Sequence, residues 1–201
     1  MTDYFALLNE PRRPWLEPEM LKAKFLKLAA AAHPDKQSIR DEAGKSVVNR
    51  RYAELNAAYQ CLVEPKSRLL HLLELELGAK PRDVQQIPVA LADLFAEVAA
   101  TCRNADTFLS EKGKITSPLL RVGFFERAQE WIEQMKDLQK KLNALRERLV
   151  TELKSLDEDW VVANAAMREE ILPKLEELYR LFGYFNRWNS QIQERVVRLS
   201  L

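Results

Sequence analysis

The amino-acid sequence predicts an all-α protein in which a helical hairpin is followed by an antiparallel three-helix bundle. Apolar residues recur at alternating spacings of three and four through most of the chain. Prolines and glycines gather at a few points, and only five glycines accompany 30% charged residues, a composition poor in the turns that many short strands require. At 201 residues there is room for two small domains or one elongated one.

Pro11, Pro14 and Pro18 break the opening into a short helix, about Tyr4 to Leu8, and an irregular connection ending where Pro18 suits the first turn of a second helix. Leu21, Phe25, Leu28 and Ala32 then form one stripe, with Lys22, Lys24 and Lys27 outside it and Leu26 and Ala30 nearly opposite. This helix must stop by about His33, because Pro34 disfavours helical backbone before it. After the polar stretch 37–45, Val48, Tyr52, Leu55, Tyr59 and Leu62 mark a third helix. Two such stripes joined by a polar loop bury each other as a hairpin, with the helix near Tyr4 closing one end and Pro34 at the exposed tip.

Pro65 opens a fourth segment whose leucines, from Leu69 to Leu77, surround much of the helix, so it packs on more than one neighbour. Gly78, Pro81 and Pro88 punctuate the residues that follow, giving a division into 1–77, a linker 78–88, and a helical bundle 89–201. One bundle helix spans about Val89 to Leu109, with Leu91, Leu94, Val98 and Cys102 on a common face. Ser117 and Pro118 start another, in which Leu120, Phe124, Ala128, Trp131, Met135, Leu138, Leu142, Leu145 and Leu149 keep a heptad to about Leu156. Asp157 to Asp159 is read as a turn that caps the last segment, where Ile171, Leu175, Leu178 and Phe182 continue the spacing and Pro173 predicts a kink or break. Three facing seams satisfy one another within a single chain; an intermolecular coiled coil is the alternative.

Composition excludes several functions. A net charge of +1 argues against a nucleic-acid binder that depends on bulk phosphate attraction. Cys61 and Cys102 make no disulfide framework, and with only His33 and His71 as histidines neither a metal site nor a cofactor is expected. The cysteines read as small buried apolar residues and His71 as a surface or interface residue. No apolar run suggests a membrane span or a leader, so a cytoplasmic location is expected. Neither a nucleophile–base pair nor a phosphate loop can be picked out, so the chain is not read as an enzyme.

One short constellation has a specific functional reading: His33-Pro34-Asp35-Lys36, at the tip between two amphipathic helices. Alone it is a proline turn, and its context gives it weight. Asp3-Tyr4-Phe5 with Leu7-Leu8 begins the chain, a basic helix precedes the tip, and Leu55-Asn56, Ala58-Tyr59 and Leu62 follow on the next helix. Together these resemble a J-domain. The resemblance implies that His33, Pro34 and Asp35, with Lys36, Lys22, Lys24, Lys27 and Leu26, contact an Hsp70-class chaperone and trigger ATP hydrolysis there. An acceptor-only carboxylate at Asp35 suits an arginine fork, and a proline-stiffened loop lowers the cost of docking. Where many J-domains carry a basic residue and an aromatic before the tip, this chain has Ala31 and Ala32.

No glycine- and phenylalanine-rich linker or cysteine-rich zinc region follows. Instead, Pro65-x-x-Arg68-x-x-x-Leu72-Leu73-x-Leu75, a proline-bearing joint, Leu156-Asp157-x-x-x-Trp160 and Lys174-Leu175 look like the HscB-type co-chaperones of iron–sulfur cluster assembly. That resemblance spans nearly the whole chain. It implies an HscA-like Hsp70 and an IscU-like cluster scaffold as partners, the scaffold-contacting patch falling by position at Ala90, Leu91, Leu94 and Ile171. The family's methionine–glutamate pattern is replaced here by Leu91-Ala92-Asp93-Leu94, and ordinary core packing is the competing reading of these leucines. The alternatives for function are a J-domain co-chaperone for another client and a helical coiled-coil interaction protein without chaperone activity.

Overall fold

The computed structural model describes residues 2–33, 42–81, 88–112 and 118–201, apart from the side chains of residues 42, 43, 45, 90, 112 and 118–121. The regular structure among these residues is helical: α1 (Tyr4–Leu7), α2 (Pro18–Ala31), α3 (Glu42–Val63), α4 (Pro65–Leu77), a 3₁₀ turn (Val89–Leu91), α5 (Ala92–Lys112), α6 (Pro118–Val162) and α7 (Ala165–Ser200). The chain divides into two compact units. One joins Met1–Arg82 to Val150–Phe182; the other joins Asp83–Leu149 to Gly183–Leu201. The first thus takes in the α6–α7 turn, so the units do not follow chain order as a division at residues 78–88 does.

In the first unit, α1 is held at both ends by its own sequence. The Asp3 carboxylate accepts the N–H groups of Phe5 and Ala6 at 3.0 and 3.2 Å, satisfying donors that a helix start leaves orphaned. At the other end Asn9 takes a left-handed φ of 53°, which asparagine tolerates, while Asn9 N–H and Glu10 N–H return to the carbonyls of Ala6 and Phe5. Pro18 occupies the first turn of α2, and Phe25 of α2 stacks on Tyr59 of α3 with centroids 4.3 Å apart. The Glu64 side chain caps α4 by accepting Ser67 N–H at 2.7 Å, and Gly78, at φ 69°, ends it where a side chain would be strained.

His71 is buried rather than at the surface. Its Nε2 accepts the Tyr4 N–H at 3.0 Å, and its ring lies 4.7 Å from that of Tyr4 and 5.7 Å from that of Phe5. The helix-period pattern of α4 carries no sign of this acceptor, because the donor lies 67 residues earlier, in α1.

The connection between α1 and α2 is irregular and partly buried, with Pro14 and Leu16 inside, so its backbone polar groups need partners. Side chains distant in sequence supply them. Arg68 of α4, itself buried, donates to the carbonyls of Pro14 and Leu62, each at 2.7 Å. Trp160 Nε1 donates to the Arg12 carbonyl at 3.0 Å. The buried Asp157 carboxylate accepts the Trp15 N–H at 2.9 Å and is gripped by the Arg13 guanidinium through both Nε and Nη2. The Trp15 ring lies between Arg68, 5.3 Å away, and Lys154, 4.7 Å away.

Two expectations about the last helices are corrected here. Asp157 to Asp159 is not a turn: α6 continues to Val162, because Asp157 is a buried acceptor on its inner face and Trp160 is buried one turn later. The chain turns at Ala163–Asn164, where the Asn164 side chain caps α7 by accepting Met167 N–H at 3.0 Å. Pro173 does not split α7, which runs unbroken from Ala165 to Ser200. The missing N–H removes one helical bond, and Ile171, Leu175 and Leu178, buried on either side of it, hold the helix together.

The second unit is a three-helix bundle. Val98, Cys102, Ala105 and Phe108 line the inner face of α5, with Leu91 buried in the turn before it, and Met135, Leu138, Leu142 and Leu145 line that of α6. Phe108 stacks on Phe124 at 4.3 Å while Glu97 pairs with Lys141 at 2.5 Å, so α5 and α6 are antiparallel. Phe95 approaches Trp188 at 6.1 Å and Asp106 binds Arg195 at 2.6 Å, so α7 runs with α5. Arg195 also donates to the Cys102 carbonyl at 3.3 Å, fastening these helices by a partly buried charge.

Two stability predictions follow from the first unit. Asp157→Ala leaves Arg13 and the Trp15 N–H without their acceptor and is expected to cost about 3 kcal/mol in urea unfolding; Asp157→Asn, which retains an acceptor oxygen, costs less. Burial is the main cause of a His71 pKa below the ordinary 6.5, aided by Arg12 and opposed by the carboxylates of Asp3 and Glu74. The folded value lies below the unfolded one, so the His71 contribution is complete above pH 6.5 and is lost as pH falls through the folded value. Stability compared at about pH 7 and about pH 5 should therefore fall further in the wild type than in His71→Gln, whose side chain does not titrate.

Candidate functional site

The α2–α3 hairpin positions the residues singled out by the sequence. The last turn of α2 closes with Ala32 N–H on the Leu28 carbonyl at 3.0 Å, which delivers His33 to the end of the helix just before the proline. His33 is half-buried and meets the ring of Tyr52 on α3 edge-on, with centroids 5.6 Å apart and planes at 81°. Its ring is therefore set against the partner helix as the chain leaves α2. Pro34, Asp35 and Lys36 lie outside the described residues. Below the tip, the Phe25–Tyr59 stack and buried Ala29, Leu55 and Ala58 hold the two arms together. Asn56 turns its amide to its own helix, donating to the Tyr52 carbonyl at 2.8 Å.

The structure separates the three lysines expected to act together. Lys22 and Lys27 are exposed. Lys24 is committed inward: its ammonium pairs with Glu10 at 2.6 Å and donates to the Asn9 carbonyl at 3.0 Å, pinning α2 to the turn after α1. Leu26 is 54% exposed and Met20 is 70% exposed, so the outer face of α2 mixes aliphatic surface with two exposed charges. On α3, Arg50 is paired with Glu54 at 3.1 Å while Val47 stands in solvent.

The second set of sequence candidates does not form an exposed patch. Leu91 is buried in the bundle and Leu94 half-buried, continuing inward toward Val98 and Cys102. Ile171 is buried in the first unit. Ala90 lies in the 3₁₀ turn, its side chain outside the described set. The apolar side chains open to solvent at this end are Val89 and Phe95 instead. A position carried over by resemblance identifies a helix turn but not which of its faces looks out, and one residue of rotation is enough to exchange Leu91 for Ala92.

Other readings of chemical groups are now specific. Burial pushes the Cys61 thiol up to about 11 and the Cys102 thiol upward, so both resist ionisation. Among the described residues there is no group of three histidine, cysteine or carboxylate side chains placed to hold a metal, and no helix long and apolar enough to cross a membrane. What sequence reasoning missed was the role of Arg13 and Trp15; Arg68 and Trp160 stood only as parts of a family pattern, and Asp157 as part of that pattern and of a turn. If Tyr52 sets the ring of His33, Tyr52→Leu should move the His33 ring-proton resonances toward their solvent positions while the far-ultraviolet dichroism stays unchanged.

No family model matches the chain. A co-chaperone protein HscB homolog of Vibrio atlanticus (strain LGP32) is 27% identical over 123 residues, covering 57% of this chain and 71% of that protein. Another, from Pseudoalteromonas atlantica (strain T6c / ATCC BAA-1087), is 34% identical over 73 residues, 36% of this chain and 42% of the relative. Among solved structures, chaperone HscB from Vibrio cholerae superposes with a TM-score of 0.63 at 16% identity, covering 96% of each chain. Human co-chaperone protein HscB gives 0.61 at 19% identity, covering 96% of this chain and 81% of that one. At these identities the superpositions establish the fold.

Proposed function

We propose that this chain, which is similar to HscB co-chaperones in sequence and in fold, stimulates ATP hydrolysis by an Hsp70-class, HscA-like chaperone and delivers to it an IscU-like scaffold on which iron–sulfur clusters are assembled. The observation that carries this reading is the placement of His33: it ends α2, is set edge-on against Tyr52 of α3, and leads directly into Pro34-Asp35-Lys36. A ring set between two packed helices, as that of His33 is, has little left to order on docking. The chain itself performs no bond chemistry in this scheme; it supplies contacts that the chaperone's nucleotide site responds to.

Within the proposal, Asp35 offers a carboxylate to a guanidinium on the chaperone and His33 adds a ring nitrogen. Lys22, Lys27 and Lys36 attract an acidic chaperone surface, with Leu26 packing between them. Lys24 acts one step back, through its hold on Glu10 and Asn9. The helices after residue 88 carry the scaffold. Leu94 is the most accessible of Leu91, Leu94 and Ile171, with Ala90 in the adjacent turn. The reading places the protein in the cytoplasm with neither nucleic acid nor membrane as a partner. A J-domain co-chaperone serving a different client would share the chaperone half of this scheme and fail to bind the scaffold.

Single-turnover ATPase of the cognate chaperone, with and without scaffold, tests both halves. His33→Gln should abolish stimulation and leave scaffold affinity and helicity intact. Lys22→Ala with Lys27→Ala should weaken the apparent chaperone affinity about three- to tenfold at low ionic strength, the difference shrinking as salt is raised. Leu94→Ser should do the reverse of His33→Gln, lowering scaffold affinity alone. Loss of both activities in every variant would refute the division of labour.

A further inference from the structure

The turn joining α6 to α7 has an unusual surface. From Trp160 to Met167 the sequence contains no charge, yet this segment is not core beyond Trp160. Val161 is 54% exposed, Val162 77% and Met167 45%, and Ala165 and Ala166 are exposed beside them. The polar side chain in the run, Asn164, is used up in capping Met167 N–H. Next to this turn lies an open cleft of about 390 Å³, lined by Glu76, Ala163, Ala165, Arg168, Glu169 and Leu172, all within the first compact unit. An apolar surface of this kind on a helical turn costs free energy in water unless something covers it.

The charges around it indicate what would. Glu158 and Asp159 stand one turn before the exposed valines, and Glu169 and Glu170 one turn after Ala166 and Met167, at the three- and four-residue spacings that make helix neighbours. All four are exposed, and none forms an ion pair among the described residues. Glu76 on the cleft wall reaches Arg12 only at 3.9 Å. Arg168, the cation lining the cleft, lies over the Trp160 ring at 4.7 Å. The result is an aliphatic patch and a shallow cleft inside a field of carboxylates. Such a field repels an anionic lipid surface and attracts a cationic ligand.

We propose that the α6–α7 turn is a docking face for a short peptide segment in which aliphatic side chains are flanked by lysine or arginine, the aliphatic groups covering Val162, Met167 and the Leu172 wall while the cations meet Glu158, Asp159, Glu169 and Glu170. None of these residues is among those given to the chaperone or the scaffold contact, so the proposal stands independently of the co-chaperone reading.

The test is fluorescence anisotropy of the full chain with a labelled heptapeptide having a leucine-valine-leucine centre and two lysines on each side, beside an analogue in which the lysines are glutamates. Saturable binding of the basic peptide is expected, weakened by added salt, with the acidic analogue inactive. Val162→Ser with Met167→Ser, and separately Glu169→Lys with Glu170→Lys, should each weaken it by about fivefold or more. These four side chains are at exposed positions, so both double variants should retain the wild-type unfolding midpoint. Absence of saturable binding, equal binding of the acidic analogue, indifference to both double variants, or binding of anionic phosphatidylglycerol vesicles in place of the peptide would each overturn the proposal.

Discussion

A buried stretch of irregular chain must find partners for every backbone N–H and C=O that it removes from water, and the segment between α1 and α2 is where this requirement is most demanding. It contains Pro11 and Pro14, neither of which can donate a backbone hydrogen bond, so its polar groups cannot all be met by its own neighbours. Its polar groups are met by Arg68, Trp160 and Asp157, and the last of these lies 144 residues from Arg13. These bonds draw α4, the end of α6 and the segment before α2 into one packed body. The start of α2, and through it the arm that carries His33, is anchored on them.

Each of these groups is chosen by chemistry as well as position. Burial drives the Arg68 pKa down to about 10, yet the guanidinium stays charged at neutral pH while its planar fork reaches two carbonyls at once. A lysine there would bring one point charge and a greater tendency to neutralise. Asp157 works in the opposite sense: an acceptor-only group that takes a guanidinium and a backbone N–H together, leaving little of its carboxylate unsatisfied. Trp15 completes the arrangement by offering its ring to Arg68 and Lys154, so cations gathered near the segment rest on an aromatic surface.

The surfaces left open have different characters. The outer face of α2 combines Leu26 and Met20 with the exposed charges of Lys22 and Lys27, while Lys24 pairs with Glu10. The α6–α7 turn is aliphatic within an acidic surround. At the start of α5, Val89 and Phe95 are open whereas Leu91 is inside. Basic, acidic and nearly neutral faces favour different ligands, and opposite signs keep a partner of one from settling on another.

The sequence by itself determined the helices, most of their ends and the pairing of α2 with α3. Heptad spacing, Pro18 and Pro65 in first turns and Gly78 as a stop are local signals, and a helix is built from contacts three and four residues apart. It also singled out His33 at a hairpin tip. Only the tertiary structure decided that Asp157 is a buried acceptor rather than a turn, that His71 is an inside acceptor for Tyr4, that Pro173 leaves α7 whole, that Lys24 is paired with Glu10, and that Leu91 is buried. All five depend on side chains or packing surfaces brought together by the fold across long stretches of chain. No periodicity encodes such a meeting, because its energy arises from desolvation and hydrogen bonding between elements and not within them.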